Sequence, residues 1–308
     1  MKTPPASPPA KWSRPLLPKH AAVDDAFTAL CNAALAQIAA NAQGVARGAD
    51  PEYLHQLRVG MRRLLSLVRA FRPLLRRKRA RAAMGPLRKM MRVFGTVRDW
   101  DVFCLTLERA KVPNELVARA RRKRAAVARA AYELADSPAF HEAQLAVVRW
   151  LNGKPWRRNA VHGAPLLDHA RRSLERKRRK LGERARRIDW RDAARRHAVR
   201  IAVKRLRYGC DFFAACFPQQ AVRPFLARLA KLQDTLGELN DISVAYLLLK
   251  KLRDEGVEVR RRLARRERAL VTSLAKEWTA FERLRPYWQP QPAPRAGRRT
   301  PRALASRA

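Results

Sequence analysis

A pattern of histidine and basic residues occurs twice in the sequence, in segments that begin at His55 and His197. The first segment reads HQLRVGMRRL and the second reads HAVRIAVKRL, so cations recur at the same spacing after each histidine. At roughly 100° per residue, His55, Arg58, Arg62 and Arg69 share one stripe of a helix, away from its apolar stripe. The second copy places His197, Arg200 and Lys204 on the equivalent stripe. Arginine forks and lysine ammonium groups suit phosphate oxygens, and a protonated imidazole donates from both ring nitrogens. The pattern therefore predicts binding of a phosphate-bearing anion.

The match between the two segments continues without a gap into a second helical stretch. It aligns Gly95 with Gly237 and Asp99 with Asp241, which predicts a duplicated helical hairpin. If the two copies face each other, their cationic stripes line one shared groove. The candidate binding residues of this groove are His55, Arg58, Arg62, Arg63, Arg69, Lys89, His197, Arg200, Lys204, Arg205, Arg207 and Lys231.

Several of these residues have alternative interpretations. Either histidine can be a neutral side chain that bridges to a nearby carbonyl, but its duplication within a cationic frame favours ligand contact. We interpret Asp99 and Asp241 as holding basic side chains in place, with a role as general bases as the alternative. Gly95 and Gly237 lie within helical stretches, where we expect them to permit close helix approach. The basic runs 121–124 and 176–180 lack the repeated frame, and we interpret them as solvated faces.

The remainder of the sequence must position the two stripes, and its pattern is helical nearly throughout. Leu57, Met61 and Leu64 recur at helical spacing and build one apolar face. Asp50 and Ser137 each precede a proline, which predicts a capped helix start. We predict an all-α fold of eight principal helices, as two four-helix bundles related by internal duplication and pseudo-twofold symmetry around a basic central groove. The predicted breaks lie near residues 48, 74, 112, 136–138, 152–165, 190, 218 and 255.

The two ends of the chain differ in composition from its centre. Six prolines among the first 19 residues predict a disordered lead-in, and the basic, proline-rich tail is expected to be equally loose. Tyr287 and Trp288 are the residues of the tail that can pack back on the body. The predicted boundaries are 1–19 for the lead-in, 20–151 for half 1, 152–165 for the hinge, 166–285 for half 2 and 286–308 for the tail.

The composition of the chain indicates the charge of its partner. The 308 residues include 68 Lys and Arg against 26 Asp and Glu, a formal charge of +42 that repels itself unless an anionic partner compensates. The hydrophobic content of 47% excludes wholesale disorder, and only 12 glycines argue against a sheet-rich enzyme. The four cysteines form no CxxC pair and are expected to be small buried side chains in a reducing compartment. We expect a cytoplasmic protein with no membrane partner.

The repeated motifs resemble the signature of the CHAD family, named for its histidines in an α-helical domain. The resemblance covers about residues 20 to 285. It implies two four-helix bundles around a basic cavity that binds inorganic polyphosphate, and an association with polyphosphate granules. The sequence departs from strict duplication at Asp211, which aligns with Arg69. The segments that carry the resemblance are His55–Leu64 with Gly95–Val102, and His197–Tyr208 with Leu236–Asp241.

Three functions compete for this sequence. We expect non-catalytic binding of inorganic polyphosphate, and a coat on storage granules is compatible with that function. The alternative is a basic helical protein that binds nucleic acid, but base stacking needs interleaved aromatic residues, and Tyr208 has no counterpart in the first copy. Weak non-specific nucleic-acid binding is compatible with either function. No Walker loop, carboxylate cluster or paired nucleophile is visible, so we expect neither an enzyme nor a cofactor. The oligomeric state stays open.

Overall fold

Nine α-helices account for most of the chain that this computed structural model describes, which comprises residues 8–18, 20–110, 112–153, 155–157, 162–253 and 256–289. These ranges contain isolated bridges between single residues in place of strands. The predicted all-α class is therefore confirmed. The helices are α1 (Val23–Ala46), α2 (Pro51–Phe71), α3 (Arg77–Arg109), α4 (Asn114–Asp136), α5 (Pro138–Asn152), α6 (Leu166–Ala185), α7 (Ala193–Phe212), α8 (Gln219–Lys251) and α9 (Val257–Glu282).

All eight predicted breaks lie between consecutive helices, but the predicted count of eight helices is wrong. Eight breaks separate nine helices, and the additional one is α5, which packs against α3 and α4. Only Ser137 separates α4 from α5, and its hydroxyl accepts a hydrogen bond from Phe140 N at 3.2 Å. A description as two four-helix bundles accounts for α1–α4 and α6–α9, and leaves α5 as a fifth helix of half 1.

Side-chain caps fix the starts of α2 and α7, the two helices that carry the cationic stripes. The Asp50 carboxylate accepts from Glu52 N at 2.7 Å, with Pro51 in the first turn. The Asp192 carboxylate accepts from Ala194 N at 2.9 Å. Such a cap is worth about 1 kcal/mol, because it satisfies a backbone donor that the helix leaves free. Each repeated histidine then follows as the fifth residue of its helix.

One apolar core runs through both halves of the chain. Phe71 at the end of α2 and Phe213 just after α7 meet with ring centroids 5.7 Å apart, and Phe27 of α1 lies 4.9 Å from Phe71. Burial of each such ring contributes about 1.5–3 kcal/mol relative to exposure. Contacts of α2 with α7 and of α3 with α8 extend this junction. The two repeated helix pairs therefore meet across the middle of the molecule.

Residues near both ends of the chain pack on the helices. Ala10 forms two hydrogen bonds with Asn41 of α1: Ala10 N donates to Asn41 Oδ1 at 3.1 Å, and Asn41 Nδ2 donates to Ala10 O at 2.9 Å. Trp288 is 2% exposed, and its indole N–H donates to Glu175 of α6 at 2.8 Å. Stretches 8–18 and 286–289 thus belong to the folded body, although we had assigned them to the loose ends. The other residues assigned to those ends, 1–7, 19 and 290–308, lie outside the described residues.

The cysteines and the helices carry two further findings. Cys31, Cys104 and Cys210 are buried, Cys216 is half-buried, and all four are free thiols. Burial raises the pKa of the Cys216 thiol to about 11, so this group is protonated at neutral pH. None of the helices in the described ranges combines the length and the apolar composition that crossing a bilayer requires.

Candidate functional site

A cavity of about 520 Å³, which we call the central cavity, lies where α2, α7 and α8 meet. Helix α2 contributes His55, Arg62 and Arg63, and α7 contributes Lys204 and Arg207. Five residues predicted from the two separate repeats therefore line a single cavity. The lining residues are His55, Val59, Arg62, Arg63, Lys204, Arg207, Tyr208, Asp211, Leu226, Ala227, Ala230 and Gln233.

The cations of the two halves are close enough to affect one another's protonation. The pKa of the Lys204 ammonium is lowered to about 7, first by burial and then by the positive charges of Arg200 and Arg62. Burial also lowers the pKa of the Arg58 guanidinium to about 10, with Arg62 as the next cause. Burial and the charge of Arg98 lower the pKa of His55. A bound anion would relieve this mutual repulsion.

Two carboxylates, Asp99 of α3 and Asp241 of α8, lie among these cations. Desolvation raises the pKa of Asp99, and the charge of Arg58 acts in the opposite direction. Desolvation also raises the pKa of Asp241, opposed first by Arg200. Each carboxylate thus lies close enough to the arginine of its own half for the two charges to interact. Among the described residues, His, Cys, Asp and Glu nowhere form a group of three or more that could hold a metal ion.

Five arginines in and around the two repeats have buried guanidinium nitrogens without a hydrogen-bond acceptor. A buried donor without an acceptor costs about 1–3 kcal/mol, and a bound anion would recover that cost by supplying oxygens. Two of the five arginines, Arg62 and Arg63, line the central cavity. The nitrogens are Arg58 Nη1, Arg62 Nε, Arg63 Nε, Arg200 Nε and Arg205 Nε.

The glycine of α3 that aligns with Gly237 contacts an arginine. A Cβ added to Gly95 would lie 2.8 Å from Arg58 Nη1, whereas one added to Gly237 would meet nothing within 4 Å. We had expected both glycines to permit close approach of helices. At Gly95 the approaching group is instead a guanidinium, and Gly237 has no such neighbour.

Arg63 is held by groups that the repeat does not predict. It forms an ion pair with Asp211 of α7, and its guanidinium lies 4.6 Å from the ring of Trp12 and 5.6 Å from that of Tyr208. Arg14 pairs with the same carboxylate. Such cation–π contacts contribute about 0.5–1 kcal/mol at exposed sites and more when desolvated. Asp211 was visible in the sequence only as a departure from the repeat, and Trp12 and Arg14 lie in a segment that we had assigned to disorder.

His197 lies apart from His55. It is exposed and lines a separate cavity of about 230 Å³ together with Arg200, and its Nδ1 is 3.1 Å from Asn240 Oδ1. The two histidines therefore line different cavities, and His197 makes the polar side-chain contact that its alternative interpretation allowed. The part of the predicted groove to which both repeats contribute comprises the residues of the central cavity.

Five other predicted residues are not among those that line the central cavity, and one of them is Arg58, which packs against Gly95. Arg69 lines a further cavity of about 400 Å³, and Arg205 lies close enough to Arg69 for the two charges to interact. Lys89 is exposed on α3. Lys231 is exposed on α8, with its Nζ 3.9 Å from Glu277 Oε1 of α9. The structure thus separates the two lysines of the second hairpin arm from the cations of α2 and α7.

Comparisons with known proteins identify the family. A search of curated proteins found no match. The structure is similar to the crystal structure of the CHAD domain from the plant Ricinus communis, with a TM-score of 0.75 and 28% identity over 90% of this chain and 97% of that chain. PptA from Streptomyces chartreusis shares the fold, with a TM-score of 0.60 and 15% identity over 85% of this chain and 98% of that chain. A family model described as the CHAD domain matches residues 29–250, more than half of the sequence, and the chain therefore belongs to the CHAD family.

Proposed function

We propose that the protein binds inorganic polyphosphate in the central cavity without transforming it. The observation that carries this proposal is that cations of both repeats, Arg62 of α2 with Lys204 and Arg207 of α7, line this one cavity. Polyphosphate is a flexible chain that presents oxygen acceptors along its whole length, and guanidinium groups bind such oxygens in pairs. Membership of the CHAD family, which is linked to polyphosphate-related proteins, supports the same ligand.

The composition of the cavity favours this polymer over nucleic acid. Tyr208 is the one Phe, Tyr or Trp residue among the lining residues, and its ring stacks on Phe212 at a centroid distance of 6.0 Å. Base stacking on an aromatic side chain is worth about 1–3 kcal/mol per base, and it requires an accessible ring face. Nucleic acid would therefore bind through its phosphates alone, and weakly. We propose a cytoplasmic location at polyphosphate granules, because binding of the polymer is sufficient for recruitment.

A charge-matched pair of variants tests the proposal. The double variant Arg62→Ser, Lys204→Ser removes one cavity cation from each half. The control, Arg122→Ser with Lys123→Ser, removes two exposed cations of α4. Hydrogen bonds to charged groups are worth about 1.5–3 kcal/mol each, so we expect the cavity variant to lose at least about tenfold in polyphosphate affinity, as measured by filter binding. We expect the control to lose less than about twofold, with a small change in salt dependence.

Three outcomes would contradict the proposal. Equal losses in the two variants would indicate that long-range charge, and not the cavity, determines binding. Displacement of polyphosphate by DNA at a matched phosphate concentration would favour the nucleic-acid alternative. Release of phosphate in the presence of Mg²⁺, abolished by Asp99→Asn, would indicate an enzyme.

A further inference from the structure

A second concentration of cations lies at the C-terminal end of α2, outside the central cavity. Its cavity of about 400 Å³ has Val68, Leu75 and Ala80 as apolar lining and no carboxylate among its lining residues. We define the Arg69 face as the five arginines of this cavity together with Arg205 of α7, namely Arg69, Arg72, Arg77, Arg81, Arg88 and Arg205.

The Arg69 face continues into a second basic cavity. This neighbour has a volume of about 490 Å³, shares Arg77 with the first cavity, and is lined entirely by Arg and Lys. Its lining residues are Arg76, Arg77, Lys78, Arg79 and Arg157. Two adjoining cavities are thus lined by cations without a carboxylate, an arrangement that attracts anions strongly.

A comparison of the two repeats shows why this face lacks charge compensation. The shift that aligns His55 with His197 also aligns Arg63 with Arg205 and Asp211 with Arg69. Arg63 forms an ion pair with Asp211, whereas Arg205 lies near Arg69, whose positive charge lowers its pKa after the larger effect of burial. One contact between the halves is therefore attractive, and its counterpart is repulsive. Arg205 Nε is also buried without an acceptor.

Duplication of the hairpin accounts for Arg81, which aligns with Arg223, but not for two other arginines of the face. Arg72 aligns with Ala214, and Arg88 aligns with Ala230. These cations are therefore particular to half 1. Burial lowers the pKa of Arg69, and the charges of Arg88 and Arg72 lower it further, so the three side chains repel one another in the unliganded protein.

We propose that the Arg69 face is a second anion-binding site, separate from the central cavity, which binds a run of phosphoryl groups. Arginine forks at the end of α2 and on α3 line the space, and such forks match phosphate oxygens in pairs; Arg205 of α7 lies close enough to Arg69 for their charges to interact. The existence of this site does not require the central cavity to bind anything, and only the choice of polyphosphate as the ligand rests on the proposed function. The phosphoryl groups come either from the same polymer that occupies the central cavity or from a separate phosphate chain.

Stoichiometry tests the second site. The triple variant Arg72→Ser, Arg81→Ser, Arg88→Ser changes three exposed residues of the face. The control removes the same charge through Arg122→Ser, Lys123→Ser and Arg129→Ser, all exposed on α4. In isothermal titration with tripolyphosphate, we expect two sites in the unmodified protein and in the control, and one site in the face variant. A face variant with the same number of sites and the same affinities as the control would overturn the proposal.

Long-chain polyphosphate distinguishes the two sources. If one polymer spans both sites, its affinity for the face variant falls by about tenfold or more, because the second contact is intramolecular. If separate chains occupy the sites, the stoichiometry falls from two chains to one and the affinity of the remaining site is unchanged. The double variant Arg62→Ser, Lys204→Ser provides the independent arm. Retention of both tripolyphosphate sites in that variant would refute the central cavity and leave the Arg69 face standing.

Discussion

The guanidinium of Arg58 on α2 lies against Gly95 on α3, with Nη1 2.8 Å from the point where a Cβ would stand. The glycine at the equivalent position of the second repeat, Gly237, has no neighbour within 4 Å of the corresponding point. The position of Arg58, and with it the buried Nη1 that has no acceptor, therefore depends on the missing side chain of Gly95.

Gly95→Ala should weaken polyphosphate binding several-fold without destabilising the fold. The added methyl displaces the far end of a flexible side chain, and alanine is favoured over glycine within a helix by roughly 1 kcal/mol. Gly237→Ala is the matched control, and we expect it to raise stability by a similar amount and to leave affinity unchanged. Filter binding and urea unfolding measure the two effects. Equal affinities in the two variants would show that the position of Arg58 does not matter for binding.

Polyphosphate affinity should rise as the pH falls through about 7. Burial, with Arg200 and Arg62, lowers the pKa of Lys204 to about 7, so this group loses its charge as the pH rises through neutrality. The pKa of His55 is lowered from its ordinary value by burial and by Arg98, so its charge is lost at a lower pH. A bound anion favours the charged forms, and binding therefore takes up protons. Titrations across this range at constant ionic strength measure the slope.

Lys204→Arg provides the control for this pH dependence. Arginine stays charged throughout, so the variant should show a flatter profile, with the largest gain over the unmodified protein above pH 7. Parallel profiles for the two proteins would exclude Lys204 as the titrating group.

Among the cations of α7, Arg196 should cause the largest loss in the free energy of unfolding when it is replaced. It is 3% exposed, its Nη1 donates to the carbonyls of Trp190 at 2.8 Å and Arg191 at 2.9 Å, and its Nη2 pairs with Glu267 of α9. Removal of one partner of a buried ion pair costs about 3–5 kcal/mol, and we expect a loss in that range for Arg196→Ala in urea unfolding. The exposed neighbour Arg195→Ala should cost less than about 1 kcal/mol. Similar losses for both variants would contradict the assignment.

As the pH rises, Lys177 on α6 should make the protein more stable, whereas a lysine paired with a carboxylate makes a protein less stable. Its Nζ donates to Ser173 Oγ at 2.6 Å, and burial lowers its pKa to about 7. Since the unfolded chain keeps the ordinary pKa of 10.5, the unfolded state binds more protons between these values, and this group makes stability rise with pH across that window. Lys177→Met should therefore stabilise most below pH 7 and least near pH 10. A difference between the two proteins that is independent of pH would contradict this account.

Local sequence patterns made the helices and the cationic residues of the central cavity predictable. Breaks and starts were visible because prolines and capping side chains such as Asp50 act on neighbouring backbone. The cations of α2 and α7 were visible because the repeat aligns them. The break between α4 and α5 at 136–138 was predicted as well, and only the number of helices was wrong, since eight breaks separate nine helices.

Contacts between distant positions were not predictable in this way. The pairing of Arg63 with Asp211 depends on how α2 meets α7, which no local pattern encodes. Trp12 reaches Arg63 from a stretch whose prolines had suggested disorder. The separation of His197 from the central cavity follows from its exposed position beside Asn240, which spacing along a helix does not specify.

The ends of the helices show that the family match and the folding unit have different limits. The match, residues 29–250, begins inside α1, ends inside α8 and omits α9. A fragment cut to those limits would lose Trp278 and Phe281 of α9 from the interior. It would also lose Trp288, which is buried against the helices, and Trp12, which packs on Arg63. We expect such a fragment to aggregate, whereas one spanning residues 8–289 should fold as a single cooperative piece.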